Sequence, residues 1–158
     1  MRRHSFSGFT LVELMIVVAV LAILVTLIYP SYQNQVRKGL RSAGQQFLMD
    51  IAQRQEQYLL DQRWYAADLA TLNMQPPTEI AGKYDTSSNG LRFTVPAQAA
   101  GVTPTYTISL APVSGGPLDG DGTLVINNLQ QHWRETDGNL TYNTGGDCLW
   151  EDTGCTPH

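Results

Sequence analysis

The sequence predicts an α+β fold, with one long N-terminal helix packed on an antiparallel sheet of about four strands. Three observations carry this. An almost uncharged apolar run opens the chain. Apolar residues then recur at helical spacing. The remainder alternates apolar and polar residues in short runs between turn signals. A length of 158 residues suits one globular domain with an extension.

The front divides by composition. Residues 1–8, Met1 to Gly8, are polar and carry Arg2 and Arg3. Residues 9–29, Phe9 to Tyr29, are apolar with one charge, Glu13. At about 1.5 Å per residue a helix of that length reaches roughly 31 Å, against a hydrocarbon core of about 30 Å. Such a run spans a bilayer once, and Arg2 and Arg3 hold its front end in the cytoplasm. A secretory signal peptide has a shorter apolar stretch and a small-x-small cleavage site after it. Here Tyr29-Pro30-Ser31-Tyr32 follows instead.

Residues 30–62 continue as a helix with a stripe. Tyr32, Val36, Leu40, Ala43, Phe47 and Ile51 recur at helical spacing, with Tyr58 and Leu59 further on. Arg37, Lys38, Arg41, Gln45, Asp50 and Arg54 fall largely off it. Pro30 removes one helical hydrogen bond and predicts a kink, two helices separated there being the alternative. Gly39 and Gly44 are soft points.

Residues 63–158 form the sheet domain. A loop at Arg63–Asn73 leads to Pro76-Pro77. Leu91, Phe93 and Val95 alternate with polar residues, as do Tyr106, Ile108 and Leu110. Thr123–Asn127 is a short apolar run, and Gln131–Glu135 can return on it through a turn at Asn127–Gln130. Asn89-Gly90 and Asp137-Gly138 are turn signals. Alternation suits an antiparallel sheet packed on one side, and the helix stripe is the natural cover.

The net charge is −4, and removal of the front segment with Arg2 and Arg3 makes the rest two units more negative. Phosphate binding relies on clustered Lys and Arg, so nucleic acid is not an expected partner. Cys148 and Cys155, an even pair in an outward-facing domain, suggest a disulfide. In the chain-entropy model so small a loop contributes about 2–3 kcal/mol.

Gly8-Phe9-Thr10-Leu11-Val12-Glu13-Leu14, behind a short basic leader and opening an apolar run, resembles the cleavage and assembly motif of type IV prepilins. The resemblance implies that a prepilin peptidase cuts between Gly8 and Phe9 and methylates the new amine of Phe9. It implies a subunit first held in the inner membrane, its domain on the outer side. An inner-membrane assembly platform then moves it into an extracellular filament with other pilin subunits, of the same or a different kind. The family fold is a long helix packed on an antiparallel sheet of about four strands.

Glu13 gains a physical role in that setting. A carboxylate at membrane depth costs a few kcal/mol. The cationic amine of Phe9 in a neighbouring subunit would supply a partner, and at about 4 Å in an effective dielectric near 20 the pair is worth roughly 4 kcal/mol. The competing reading is a glutamate that snorkels to the cytoplasmic interface without effect.

The stretch Arg54-Gln55-Glu56-Gln57-Tyr58-Leu59-Leu60-Asp61, then Trp64-Tyr65 and Leu69-Ala70-Thr71-Leu72, looks like the helix end of PilE-type minor pilins. Tyr106–Pro112 resembles that branch's first central strand, and Asp119–Leu124 its glycine-rich turn. The family often closes its C-terminal loop with a disulfide, which fits Cys148 and Cys155. The segment between them is acidic and aromatic and reads as exposed, either a contact surface or a stapled edge. The favoured function is a minor pilin in pilus assembly, with motility, adhesion or DNA uptake downstream. The rivals are a major pilin, a type II secretion pseudopilin and a monomeric membrane-anchored adhesin or receptor.

No enzyme, metal or cofactor is expected. Asp119 and Asp121 lack the third oxygen ligand and closing glutamate of an EF-hand, and turn chemistry explains them. Gly115, Gly116, Gly120 and Gly122 are not followed by a phosphate-loop Lys. His4, His132 and His158 are far apart. Asn139-Leu140-Thr141 is a glycosylation sequon by pattern alone.

Overall fold

The computed structural model describes residues 9–136, 140 and 148–150. The leader Met1–Gly8, the Asp137-Gly138 turn, the Asn139 sequon, Cys155 and His158 lie outside the described residues. The chain divides into two units, Met1–Val36 and Arg37–His158.

Helix α1 covers Leu11–Gln62 without a break at Pro30, so the two-helix alternative is set aside. In the first unit its residues are exposed throughout. Thr26 donates its hydroxyl to the carbonyl of Ile23 at 2.7 Å, which satisfies that polar group inside an apolar stretch.

The second unit holds the predicted architecture. Its strands are β1 (Leu91–Thr94), β2 (Thr107–Leu110), β3 (Thr123–Asn127), β4 (His132–Glu135) and β5 (Cys148–Leu149). They form one antiparallel meander in the order β1-β2-β3-β4-β5. The fifth strand, a two-residue edge beside Trp133 and Arg134, adds to the expected four. Asn127 closes the β3–β4 hairpin: its Oδ1 accepts from the backbone N–H of Leu129 and of Gln131, both at 3.0 Å.

The helix stripe reaches the core, with two corrections. Phe47, Leu48, Ile51 and Ala52 are buried with Ile108, Leu110, Leu124 and Ile126, and Leu40, Ala43, Tyr58 and Leu59 pack against them. Tyr32 and Val36 are exposed and belong to the first unit, so the buried stripe begins at Leu40. Gly44 is a close approach rather than a soft point. A Cβ there would lie 2.6 Å from the ring of Tyr84 and 3.0 Å from Leu124. Only glycine lets the ring reach the helix backbone.

The sheet is also buried on both faces at its centre. Ser109, Val125 and Trp133 are cross-strand neighbours on the face away from Leu110 and Leu124, and all three are buried. The unbroken run Leu124-Val125-Ile126 is the sequence signal for this, because two-sided burial replaces alternation with continuous apolarity.

Three tyrosines tie this core to pH. Burial, with a smaller push from Glu56, raises Tyr65 to about 12. Burial pushes Tyr84 and Tyr106 higher still. A folded-state value raised above the unfolded one gives stability that is full below the unfolded pKa, about 10, and is lost as pH rises. The urea midpoint is therefore expected to hold from pH 8 to about 10 and then fall steeply. Tyr84→Phe should flatten that fall, and an unchanged slope in the variant would contradict the assignment.

Candidate processing and assembly site

The N-terminus is built around Thr10. Its carbonyl accepts from the Leu14 N–H at 3.2 Å and its Oγ1 accepts from the Glu13 N–H at 3.3 Å. Thr10 is thus the N-cap of α1 and Glu13 sits three residues on. The run Thr10-Leu11-Val12-Glu13 has the capping-box spacing, a signal open to sequence reading and missed there. Glu13 lies in the first helical turn, where the helix dipole favours a negative charge. It is exposed and forms no ion pair among the described residues. Phe9 precedes the cap with most of its ring exposed. Gly8, the other half of the expected cleavage bond, lies outside the described residues.

Downstream, polar groups fasten the helix to the sheet. Gln55 is fully buried and joins the backbone of Ala66 twice: its Nε2 donates to the Ala66 carbonyl and its Oε1 accepts from the Ala66 N–H, both at 2.8 Å. The side-chain amide imitates a strand pair and pins the chain just beyond the helix. Gln55→Leu should cost about 2–4 kcal/mol in a urea titration, since it leaves two buried backbone groups unpaired. A loss under about 1 kcal/mol would contradict the pin.

Arg41 and Arg134 converge on Asp121. Arg41 grips the carboxylate bidentately, Nε to Oδ2 at 2.7 Å and Nη2 to Oδ1, while Arg134 Nη1 reaches Oδ1 at 3.3 Å. The bond to Asp121 raises the Arg41 pKa above its ordinary value, against the opposing effect of burial. In the sequence Arg41 falls off the apolar stripe and turn chemistry accounts for Asp121. Both instead belong to an ion network linking α1 to the turn before β3 and to β4. Asp119 does keep a turn role, its Oδ2 accepting from the Gly115 N–H at 3.1 Å.

Of the segment expected to be exposed, Cys148 to Trp150 are described, and Trp150 departs from the expectation. Trp150 is buried, and its Nε1 donates to the Trp133 carbonyl at 2.9 Å. Gln45 donates to the Trp150 carbonyl at 3.3 Å, and the His132 and Trp150 rings stand 4.6 Å apart. The indole needs a partner for its N–H when buried, and the β4 backbone supplies one. Leu149 beside it stays exposed. Cys148 opens β5, and no cysteine among the described residues is free.

Residues 30–119 match a family model described as type IV minor pilin ComP, DNA uptake sequence receptor. That match covers more than half of the sequence. The chain belongs to the type IV minor pilin family. A second model, the prokaryotic N-terminal methylation motif, matches residues 3–29. The minor pilin is 34% identical over 81 residues to the type IV major pilin protein PilE1 of Neisseria gonorrhoeae, across 49% of this chain and 48% of that one. It is 29% identical over 121 residues to the type II secretion system core protein G of Pseudomonas aeruginosa, across 75% and 83%. It is 34% identical over 69 residues to the type IV wide pilus major component PilA4 of Thermus thermophilus, across 44% and 53%. The minor pilin thus spans about half the length of the gonococcal relative. Among the described residues, α1 is the one helix long and apolar enough to cross a membrane, and its apolar window is unburied. The motif and this helix fit a membrane-anchored pilin, and the family is a structural one.

Proposed function

We propose that this minor pilin is a non-catalytic structural subunit of a type IV pilus. A prepilin peptidase releases residues 1–8 between Gly8 and Phe9 and methylates the new amine. Residues 9–29 hold the subunit in the inner membrane and later form filament core. Residues 30–62 carry the sheet domain, 63–158, on the outer side. Pro30 gives the helix its bend, and Cys148 and Cys155 close the C-terminal loop. The assembly platform then delivers the subunit to an extracellular filament of pilins.

The observation that carries this reading is the pairing of the minor-pilin match with an unburied apolar helix whose first turn holds one carboxylate. Glu13 is unpaired while the subunit is parked and meets the methylated Phe9 amine of a neighbour on polymerisation. The test is abundance: the chain should be present in sheared filaments at a small fraction of the major subunit. Dominance of filament mass would make it a major pilin, and absence would reopen the pseudopilin and anchored-receptor readings.

One observation favours a second reading, DNA reception, because the matched model describes a DNA uptake sequence receptor. Charge opposes it. The chain is net negative, and Arg41 and Arg134 are committed to Asp121. A mobility-shift titration with duplex DNA should show no sequence-selective complex at moderate salt. A selective, salt-sensitive complex would transfer the reading to a receptor.

A further inference from the structure

We propose that Tyr29 and Tyr32 form an interfacial anchor that sets the depth of the apolar helix in a bilayer, their rings at the hydrocarbon edge and their hydroxyls among the phospholipid headgroups of the outer leaflet. The proposal rests on the membrane-parked reading above and adds the residues that fix the resting position.

Tyr29 and Tyr32 lie in the first unit and are exposed at 61% and 66%. Tyr32 continues the spacing of the core stripe, yet it takes no part in the core. Three residues apart on a helix, the two rings share one side. They also mark a change in composition. Everything from Leu14 to Ile28 is apolar apart from Thr26, whose hydroxyl is bonded internally. Immediately after Tyr32 come Gln33, Asn34 and Gln35. A tyrosine has an apolar ring and a hydroxyl that seeks water, so it is enriched at membrane–water boundaries.

The spacing to Glu13 gives the anchor a consequence. Tyr29 follows Glu13 by 16 residues, about 24 Å along a helix. With Tyr29 at the outer edge of a core about 30 Å thick, Glu13 sits within about 6 Å of the inner edge. From there a carboxylate reaches headgroup water. The tyrosines therefore keep Glu13 hydrated in the parked subunit, and its passage into a filament begins from a defined depth.

The full chain, reconstituted in phosphatidylcholine–phosphatidylglycerol vesicles, tests this. The vesicles carry a spin-label quencher either near the headgroup or near the bilayer midplane, and reporters are placed as Tyr32→Trp and Val20→Trp. Fluorescence of the parent chain, from Trp64, Trp133 and Trp150, is subtracted. Tyr32→Trp should be quenched more by the shallow label and Val20→Trp more by the deep one. Adding Tyr29→Ala and Tyr32→Ala to Val20→Trp should reduce its deep quenching. Deep or absent quenching of Tyr32→Trp, or a Val20→Trp signal that ignores loss of both tyrosines, would overturn the anchor and leave the membrane reading standing. No deep quenching of Val20→Trp in the parent background would overturn both.

Discussion

Glu13→Ala is expected to leave cleavage and methylation intact and to remove the subunit from filaments. The parked subunit is little changed, because its Glu13 carboxylate lies within reach of headgroup water. The filament loses a pair worth roughly 4 kcal/mol, about a thousandfold in the incorporation constant. The helix cap supplies the competing explanation, because Glu13 sits at the third position after Thr10. Cap loss is typically about 1 kcal/mol, too little for exclusion. Two further variants separate the terms. Thr10→Ala removes the cap side chain and should still enter filaments. Glu13→Gln keeps the shape without the charge and should be excluded. Comparing membrane and sheared-filament fractions reads all three, and normal entry of Glu13→Gln would sink the pairing.

The second large effect concerns folding. Asp121→Asn should destabilise the sheet domain by about 2–4 kcal/mol, somewhat less than the cost of breaking a fully buried ion pair from one side, because this network is partly buried. The neutral amide cannot balance the guanidinium of Arg41, which is held bidentately and whose side chain is only 13% exposed. Urea unfolding of the full chain in detergent, followed through Trp133 and Trp150, measures the loss. Because the carboxylate is already gripped bidentately by Arg41, calcium should leave the midpoint of the parent chain unchanged. A calcium-dependent rise would return Asp121 to the cation-site reading that turn chemistry displaced.

The sequence made the architecture readable for a physical reason. Apolar spacing along a helix and alternation along a strand are local records of which face is covered, and Leu40 to Ile51 and Tyr106 to Leu110 are such records. The motif at Phe9 and Glu13 is likewise contiguous. What stayed hidden depends on partners distant in the chain. Arg41 looks like a solvated residue until Asp121, eighty residues on, is placed beside it. Gln55 stands in the polar-looking run Arg54-Gln55-Glu56-Gln57, and only the return of Ala66 makes its burial favourable. Gly44 looks like a weak point until the Tyr84 ring arrives. Trp150 lies in a segment whose acidic neighbours suggest exposure, yet its indole finds the β4 backbone. The error at Tyr32 and Val36 is the converse: helical spacing persists there although no described residue covers the stripe.

Mass spectrometry of the N-terminal peptide from sheared filaments reads processing and filament entry together. A processed minor pilin gives a peptide that begins at Phe9 with a methylated amine, present at a small fraction of the major subunit. A peptide retaining Met1, or one beginning after Tyr29, would contradict this processing, because either product would lack the charged Phe9 amine that pairs with Glu13 in the filament.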